Sequence, residues 1–190
     1  MNRIFYITLI YLLTMGADDV QAQQAPVASA TAITSAPVID GRLDEDTWAE
    51  AQILSGFTQK EPSEGRPVSE RTEVRVAYDE EALYIGAWLF DSDPTSLVFG
   101  QTLRDASLND SDAFVLVLDT YLDRQNGFVF GTTPAGIEYD GQVANEGQGG
   151  GGGGGRAGGG GRQQSGSGGG FNLNWDGSWE VATSTDSRGW

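Results

Sequence analysis

The chain has 190 residues and a formal net charge of -16, and it contains neither histidine nor cysteine. The missing residue types exclude Ser-His and Cys-His catalysis, thiol redox chemistry, and the usual zinc, haem and iron–sulfur ligand sets. The acidity argues against a nucleic-acid or anionic-membrane partner, because both need a basic patch that neutralises phosphate.

Residues 1–22 have the pattern of a secretory signal peptide. A short positive start, Met1–Arg3, precedes the apolar run Ile4–Met15, and small residues follow. As a helix this run rises only about 18 Å, too little for a hydrocarbon core of about 30 Å. We expect cleavage after Val20-Gln21-Ala22, with Met15-Gly16-Ala17 as the other possible site, and export to the periplasm, the outer membrane or the extracellular space. An uncleaved anchor or a buried strand is the alternative. Residues 23–35, rich in Ala, Gln and Thr, are predicted to be a linker.

The first predicted elements after the linker are a helical turn and a β-hairpin. Leu43–Ala51 is predicted to form one or two helical turns, with Asp44 as the N-cap. Thr72–Tyr78 alternates between apolar and polar residues, which indicates a half-buried strand. Asp79–Ala82 is a polar segment of hairpin length, and Leu83–Phe90 is predicted to be the second strand.

Further short strands are predicted downstream. Phe114–Leu118 is apolar on both faces, as is Leu83–Phe90, so we expect both to be central strands that are covered on both sides. Phe128–Phe130 follows Asn126-Gly127, which is a strong hairpin signal. The last predicted strands are Ile137–Tyr139 and Trp179–Thr183.

These strands, without a long amphipathic helix, predict an all-β fold: an antiparallel β-sandwich of the jelly-roll or immunoglobulin-like type. More than half of the 28 glycines lie in Gly147–Gly170, which is predicted to be a long disordered loop inserted between two strands. Poly-glycine satisfies nucleotide-loop patterns anywhere. No strand-to-helix context surrounds the tract, so we do not interpret it as a phosphate-binding loop.

Four ordered blocks of the sequence carry a family resemblance. They are Ala36–Glu45 with Trp48, Thr72–Asp79 running into Leu83–Gly86, Asp91–Pro94, and Asp110–Phe114 continuing through Leu118-Asp119. As a set they resemble family 9 carbohydrate-binding modules. The resemblance covers about Ala36–Tyr139 and resumes at Asn174–Trp190, so residues 36–190 are identified as one domain of this kind.

A second set of positions points to a nearer likeness. It consists of Arg104-Asp105, Asp112, Asp119, Asp123-Arg124, Gly127, Pro134-Ala135-Gly136 and Asp140. These positions resemble the family-9-like domain at the start of long bacterial envelope proteins, which usually continue into an outer-membrane β-barrel. The resemblance implies a β-sandwich that binds sugars, is often tethered to a glycoside hydrolase and often holds calcium. It also implies that the domain is truncated at its C-terminus, since the family continues past Trp190 into a further strand or two.

The sequence departs from the resemblance at the sugar site. Sugar-binding modules of this family clamp a ring between two tryptophans. The first should lie just before Asp110–Asp112, where Ala106–Leu108 has no aromatic residue. The second should lie beyond Trp190. Sugar binding by this chain therefore has to rest on other residues.

Carbohydrate binding needs flat aromatic faces for the C–H side of a sugar ring, with carboxylates or amides for its hydroxyls. Trp175 is the best candidate for an exposed platform and Tyr139 is a second, while packing at a strand edge is the alternative for Trp175. Arg104 and Asp105 are candidate polar contacts to the sugar, with a surface ion pair as the alternative. Core positions are expected for Trp48 and Trp88.

A metal site without His or Cys must use oxygen ligands, which makes calcium the natural candidate as a structural ion. The candidate ligands are Asp91, Asp93, Asp110 and Asp112, because alternate residues in a turn can converge their carboxylates. Capping of backbone N–H groups within the turns is the alternative. Among 27 acidic residues no pair is singled out by spacing as a glycosidase pair, so we assign no catalytic residue.

The sequence therefore predicts a secreted β-sandwich module that binds a polysaccharide or glycan in support of carbohydrate catabolism. A partner domain would carry out any hydrolysis of glycosyl bonds, and the full-length protein would continue into that catalytic domain or into an outer-membrane barrel. The main alternative is a non-catalytic periplasmic domain of an outer-membrane β-barrel protein that has lost sugar binding. An intrinsic glycosidase is a third, less favoured interpretation.

Overall fold

The computed structural model describes residues 27–144 and 170–190. The predicted signal peptide (1–22) and residues 147–169 of the predicted glycine-rich loop lie outside the described residues. The elements in chain order are β1 (Thr31–Ala32), α1 (Asp46–Glu50), β2 (Thr72–Tyr78), β3 (Leu83–Leu89), a 3₁₀ turn (Pro94–Ser96), β4 (Phe114–Leu118), β5 (Gly127–Thr132), β6 (Tyr139–Ala144) and β7 (Gly170–Asn172).

The described strands form two sheets, one with the order β1-β2-β3 and one with the order β4-β5-β6-β7. β1 pairs with β2 in parallel, and every other pairing is antiparallel. The prediction of an all-β chain is confirmed, since α1 is five residues long and the described residues hold no longer helix. In these same ranges no helix has the length and apolar character needed to cross a bilayer. β1 lies within the segment predicted to be a linker.

The β2–β3 hairpin forms as predicted, with β2 spanning Thr72–Tyr78. The carboxylate of Asp79 closes the turn: its Oδ1 accepts hydrogen bonds from the backbone N–H groups of Glu81 and Ala82, each at 2.8 Å. The hydroxyl of Tyr84 donates to Oδ2 of the same carboxylate at 2.9 Å. One acidic side chain therefore fixes both the turn and the start of β3.

The two strands that are apolar on both faces lie at sheet edges, so the prediction that they are central is wrong. β4 is an edge strand among the described residues, and Val115 and Val117, which lie on the same face of the sheet as Val129, are 44% and 59% exposed. β3 ends one residue earlier than predicted, at Leu89. An apolar run reports the side chains that a strand carries but not which of its faces another layer covers.

The C-terminal residues differ most from the prediction. Trp179–Thr183, predicted to be a strand, has no regular structure, and its side chains contact the four-stranded sheet and the loop that follows β5. The indole of Trp179 packs edge-on against Phe130 with ring centroids 5.3 Å apart, and the hydroxyl of Thr183 donates to the carbonyl of Pro134 at 3.0 Å.

Beyond Thr183 the chain returns to β3. The backbone N–H of Leu89 donates to the carbonyl of Trp190 at 2.8 Å, and the N–H of Trp190 donates back at 3.0 Å. Gly189 allows this approach: its φ is +138°, and an added Cβ would lie 2.1 Å from the carbonyl oxygen of Leu89. A side chain at this position would therefore push the C-terminal residues off β3.

The helical turn α1 lies against β2 and has a buried tryptophan. Trp48 is a core residue, as predicted. The predicted N-cap Asp44 is wrong, because Glu45 takes the N-cap position and makes no side-chain capping bond. The Oε1 of Glu45 instead accepts from the backbone N–H of Val38 at 3.0 Å. Trp88 is only partly buried and lies under the guanidinium of Arg188, 4.2 Å from its ring centroid.

The main cluster of buried apolar side chains lies on one face of the four-stranded sheet. Val129 and Tyr139 point to this face from β5 and β6, and Leu108 and Ile137 from the flanking loops pack against them. β6 begins at Tyr139, so the predicted strand Ile137–Tyr139 overlaps it only at this residue. The opposite face carries Phe128 and Phe130, and the candidate site is found there.

Candidate functional site

Three segments that are distant in sequence meet beside β6. They are 104–105 from the loop before β4, 138–140 at the start of β6, and 175–177 after β7. The guanidinium of Arg104 joins them, and we call this group of side chains the Arg104 cluster: Arg104, Asp105, Glu138, Asp140 and Asp176.

Arg104 is ion-paired with all four carboxylates of the cluster. Its Nη2 lies 2.8 Å from Oδ1 of Asp140 and also contacts Asp176, while its Nη1 contacts Glu138. Its Nε lies 3.7 Å from Oδ2 of Asp105. The ion pair between Arg104 and Asp105, considered from the sequence, is therefore one member of a larger network.

The electrostatics of the cluster favour the charged guanidinium. Partial desolvation by itself lowers the pKa of Arg104, but the attraction of Asp140, then of Asp176, Glu138 and Asp105, outweighs it. The pKa of Arg104 consequently lies above its ordinary value. Because one positive charge faces four carboxylates, the cluster still carries a surplus of negative charge and of hydrogen-bond acceptors.

Asp140 is the buried member of the cluster, with 1% of its surface exposed. Its Oδ1 accepts from Arg104, and its Oδ2 accepts from the backbone N–H of Gly177 at 2.5 Å. Its own backbone N–H donates to Oδ1 of Asp105 at 3.3 Å. Asp105 itself has a φ of +58°, which is uncommon for a residue other than glycine, and its N–H donates to the carbonyl of Glu138 at 2.9 Å.

Trp175 lies directly beside this cluster and is partly exposed. Its ring packs on Phe128 with centroids 4.6 Å apart and meets Phe130 edge-on at 5.9 Å. An added Cβ on Gly177 would lie 2.9 Å from the Trp175 ring and 3.2 Å from Oδ2 of Asp140, so the ring and the buried carboxylate are near neighbours. Trp175 is thus packed against two phenylalanine rings and is also partly open to solvent.

Tyr139 lies on the other face of the sheet. Successive side chains of a strand point to opposite faces, so Tyr139 and Asp140 diverge. The Tyr139 ring is 5% exposed, belongs to the main apolar cluster and stacks on Phe171 with centroids 6.1 Å apart. Burial, and then the nearby charge of Asp105, raise the pKa of its hydroxyl. Its ring offers no open face, so the candidate site is built without it.

Trp175, Arg104 and Asp105 are thus brought together as candidate sugar contacts, while Asp140, Asp176, Glu138 and Gly177 were not singled out as site residues. One signal is present in the sequence: Asp140 directly follows the predicted strand Ile137–Tyr139 and is one of the positions that carry the family resemblance. The contact between Asp140 and Gly177 crosses the whole glycine-rich tract in sequence, and local patterns do not report such a contact.

Three of the four candidate calcium ligands accept hydrogen bonds from backbone N–H groups. Oδ1 of Asp91 accepts from the N–H of Asp93 at 2.7 Å, and Oδ1 of Asp93 accepts from the N–H of Thr95 at 3.3 Å. Oδ2 of Asp112 accepts from the N–H of Val98 at 2.8 Å. Across 27–144 and 170–190 no group of three or more acidic side chains is arranged to hold a metal ion. Calcium binding by the two Asp pairs, Asp91/Asp93 and Asp110/Asp112, therefore stays a prediction.

No protein-family model, no curated protein and no solved structure matches this chain. The resemblance to family 9 carbohydrate-binding modules therefore rests on the sequence blocks and their order.

Proposed function

We propose that this chain is an exported carbohydrate-binding module of the family-9-like class, with its two sheets arranged as a β-sandwich. The observation that carries the proposal is the position of Trp175. A partly exposed indole lies beside the carboxylates of the Arg104 cluster, and the two are joined through Gly177 and Asp140. This juxtaposition supplies both kinds of group that a sugar ring needs: an aromatic ring for its C–H face and acceptors for its hydroxyls.

The polar half of the proposed site offers hydrogen-bond acceptors and would therefore bind hydrogen-bond donors of the ligand. The guanidinium of Arg104 is occupied by four carboxylates, which leaves few of its N–H groups for a ligand. Asp176 is 75% exposed at its side chain and contacts Arg104 through Oδ1, so Oδ2 is available. Sugar hydroxyls donate to such an oxygen, whereas a uronate or sulfate group would be repelled by the surplus carboxylates.

The module would hold its glycan near a partner domain. We assign no catalytic residue to this chain, so hydrolysis of glycosyl bonds in carbohydrate catabolism would belong to a catalytic domain in the full-length protein. An outer-membrane β-barrel is the other candidate for the associated domain, in keeping with export to the periplasm, the outer membrane or the extracellular space.

A glycan array tests the proposal. The wild-type protein is expected to bind at least one neutral polysaccharide or oligosaccharide, and Trp175→Ala is expected to lose that binding while keeping its far-UV circular dichroism. Tyr121→Ala is the matched control, since this aromatic side chain is 63% exposed in the β4–β5 turn and does not belong to the Arg104 cluster. Retention of binding by Trp175→Ala would contradict the proposed site.

A second candidate function is a periplasmic domain that has kept the fold and lost the sugar site. The packing of Trp175 on Phe128 favours it, because that contact occupies ring surface that a sugar would use. So does the absence of an aromatic residue from Ala106–Leu108, where the family places one. A folded wild-type protein that binds no glycan on the array would establish this alternative over the first.

A further inference from the structure

A short chain of contacts runs from the Arg104 cluster to the loop that carries the Trp175 ring. Arg104 holds Asp140, and Asp140 holds the backbone N–H of Gly177, two residues after the tryptophan. Asp140 belongs to β6, so this contact ties the loop after β7 to a strand. Phe128, on the neighbouring strand β5, supports the ring from below.

Gly177 is the point at which the loop, the ring and the buried carboxylate come closest. A Cβ built there would lie 2.9 and 3.1 Å from two atoms of the Trp175 six-membered ring and 3.2 Å from Oδ2 of Asp140. The backbone of Gly177 lies outside the left-handed region, so an alanine is disfavoured by these contacts and not by backbone strain. A methyl group would have to displace the ring or lengthen the bond to Asp140.

We propose that Asp140 and Gly177 are positioning residues for Trp175. The buried carboxylate anchors the backbone of the loop, and the bare Cα of the glycine leaves room for the indole to fold back beside it. Arg104 offsets the charge of the buried carboxylate, which would otherwise be costly in the interior. The functional meaning of this arrangement rests on the proposed sugar site: it fixes in advance the ring on which the sugar would stack, so that no loop has to be ordered on binding.

Gly177→Ala is the direct test. The variant is expected to change the near-UV circular dichroism and the acrylamide quenching of Trp175, with the Trp175 signal obtained by subtracting the spectrum of Trp175→Phe. Its affinity for the glycan is expected to fall roughly tenfold, the effect of one lost contact of ordinary size. Gly170→Ala is the matched control, because among the described residues a Cβ at Gly170 meets only the carbonyl oxygen of Ala144, at 3.6 Å.

A double-mutant cycle keeps the test valid if Gly177→Ala folds poorly. Phenylalanine at position 175 lacks the ring atoms that the new methyl group would meet. We therefore expect Gly177→Ala to lower the free energy of unfolding less in the Trp175→Phe background than in the wild type. The difference between the two losses is the coupling energy between the two positions. An equal loss of unfolding free energy on Gly177→Ala in both backgrounds would overturn the proposal.

The Trp175 spectra and the glycan affinity are separate measurements, and each can contradict its own part of the account. Wild-type spectra for Gly177→Ala would overturn the positioning role whether or not a glycan binds. Changed spectra together with weakened binding would support both the positioning role and the sugar site. Changed spectra in a protein that binds no glycan would support the positioning of the ring and contradict the proposed function.

Discussion

Asp140 shows how a single residue organises the candidate site. Burial of a carboxylate costs several kcal/mol unless it is paired and hydrogen-bonded. Asp140 has both kinds of partner, Arg104 on one oxygen and the N–H of Gly177 on the other. The same contacts join three distant segments of the chain, so the requirement to pair one buried charge also brings the site together.

Among the candidate calcium ligands, Asp93 has a structural role of its own in the 3₁₀ turn. Oδ1 of Asp93 accepts from both the N–H and the hydroxyl of Thr95, the second at 2.5 Å, and so caps the 3₁₀ turn. We expect Asp93→Ala to lower the free energy of unfolding by about 1 kcal/mol, the usual value of such a cap, and by the same amount in EDTA and in calcium. Thermal and urea unfolding in both solutions measure this.

Asp110→Ala is the control for the calcium experiment. Asp110 is exposed, and we expect its removal to change stability by less than about 0.5 kcal/mol in either solution. A melting temperature of the wild type that rises in calcium, with a rise that either variant abolishes, would contradict the capping assignment and establish the ion that the family resemblance implies.

At the scale of elements, the stability that the turn of the β2–β3 hairpin gives to the fold depends on pH. The backbone N–H groups of Glu81 and Ala82, with a smaller part from the Tyr84 hydroxyl, lower the pKa of Asp79 below its ordinary value. A group with a depressed pKa in the folded state stabilises the fold above its unfolded pKa, about 3.9 for aspartate. That stabilisation is lost as the pH falls through the folded-state pKa.

We therefore expect the wild type to exceed Asp79→Asn in free energy of unfolding at pH 5–7, and the difference to shrink as the pH falls below about 4. Urea unfolding at a series of pH values gives this difference directly. Glu80→Gln is the control in the same turn, since the turn hydrogen bonds described above go to Asp79 and not to Glu80. A difference between wild type and Asp79→Asn that stays constant with pH would contradict the account.

The exposure of β4 on the face of the main apolar cluster is tested by two valines that face each other across the β4–β5 pair. Val117 is 59% exposed and Val129 is 7% exposed. Valine to threonine hardly changes the shape, so we expect Val117→Thr to cost less than about 0.5 kcal/mol and Val129→Thr about 1–3 kcal/mol for the buried hydroxyl. Chemical denaturation measures both. Equal losses would show that β4 is covered at Val117 on this face, which would contradict the exposed position described above.

These elements also show which features of the fold could be predicted from the sequence. The β2–β3 hairpin was predictable, because alternation along Thr72–Tyr78 and the polar turn after it are local signals. The edge placement of β4 and the irregular path of Trp179–Thr183 were not predictable, because both depend on which layers meet. The site follows the same division: aromatic and charged candidates could be named, but the burial of Tyr139 depends on the register of β6.

At the scale of the whole molecule, a formal charge of -16 restricts the partners that the protein can take. Polyanions are disfavoured by long-range repulsion, and the surplus of carboxylates around Arg104 repeats that preference locally. Neutral glycans face no such penalty, so the global charge and the candidate site agree. The two-sheet all-β architecture provides a rigid frame on which strand β6 and the loop after β7 present the site.

The central claim is that the Trp175 ring and the Arg104 cluster together bind a neutral glycan. Isothermal titration calorimetry with the best-bound glycan of the array, on wild type, Trp175→Ala and Tyr121→Ala, tests it most directly. We predict measurable binding by the wild type and by Tyr121→Ala, and an affinity at least about tenfold lower for Trp175→Ala, equivalent to about 1.4 kcal/mol. The same affinity for all three proteins, or no heat of binding with the wild type, would contradict the claim.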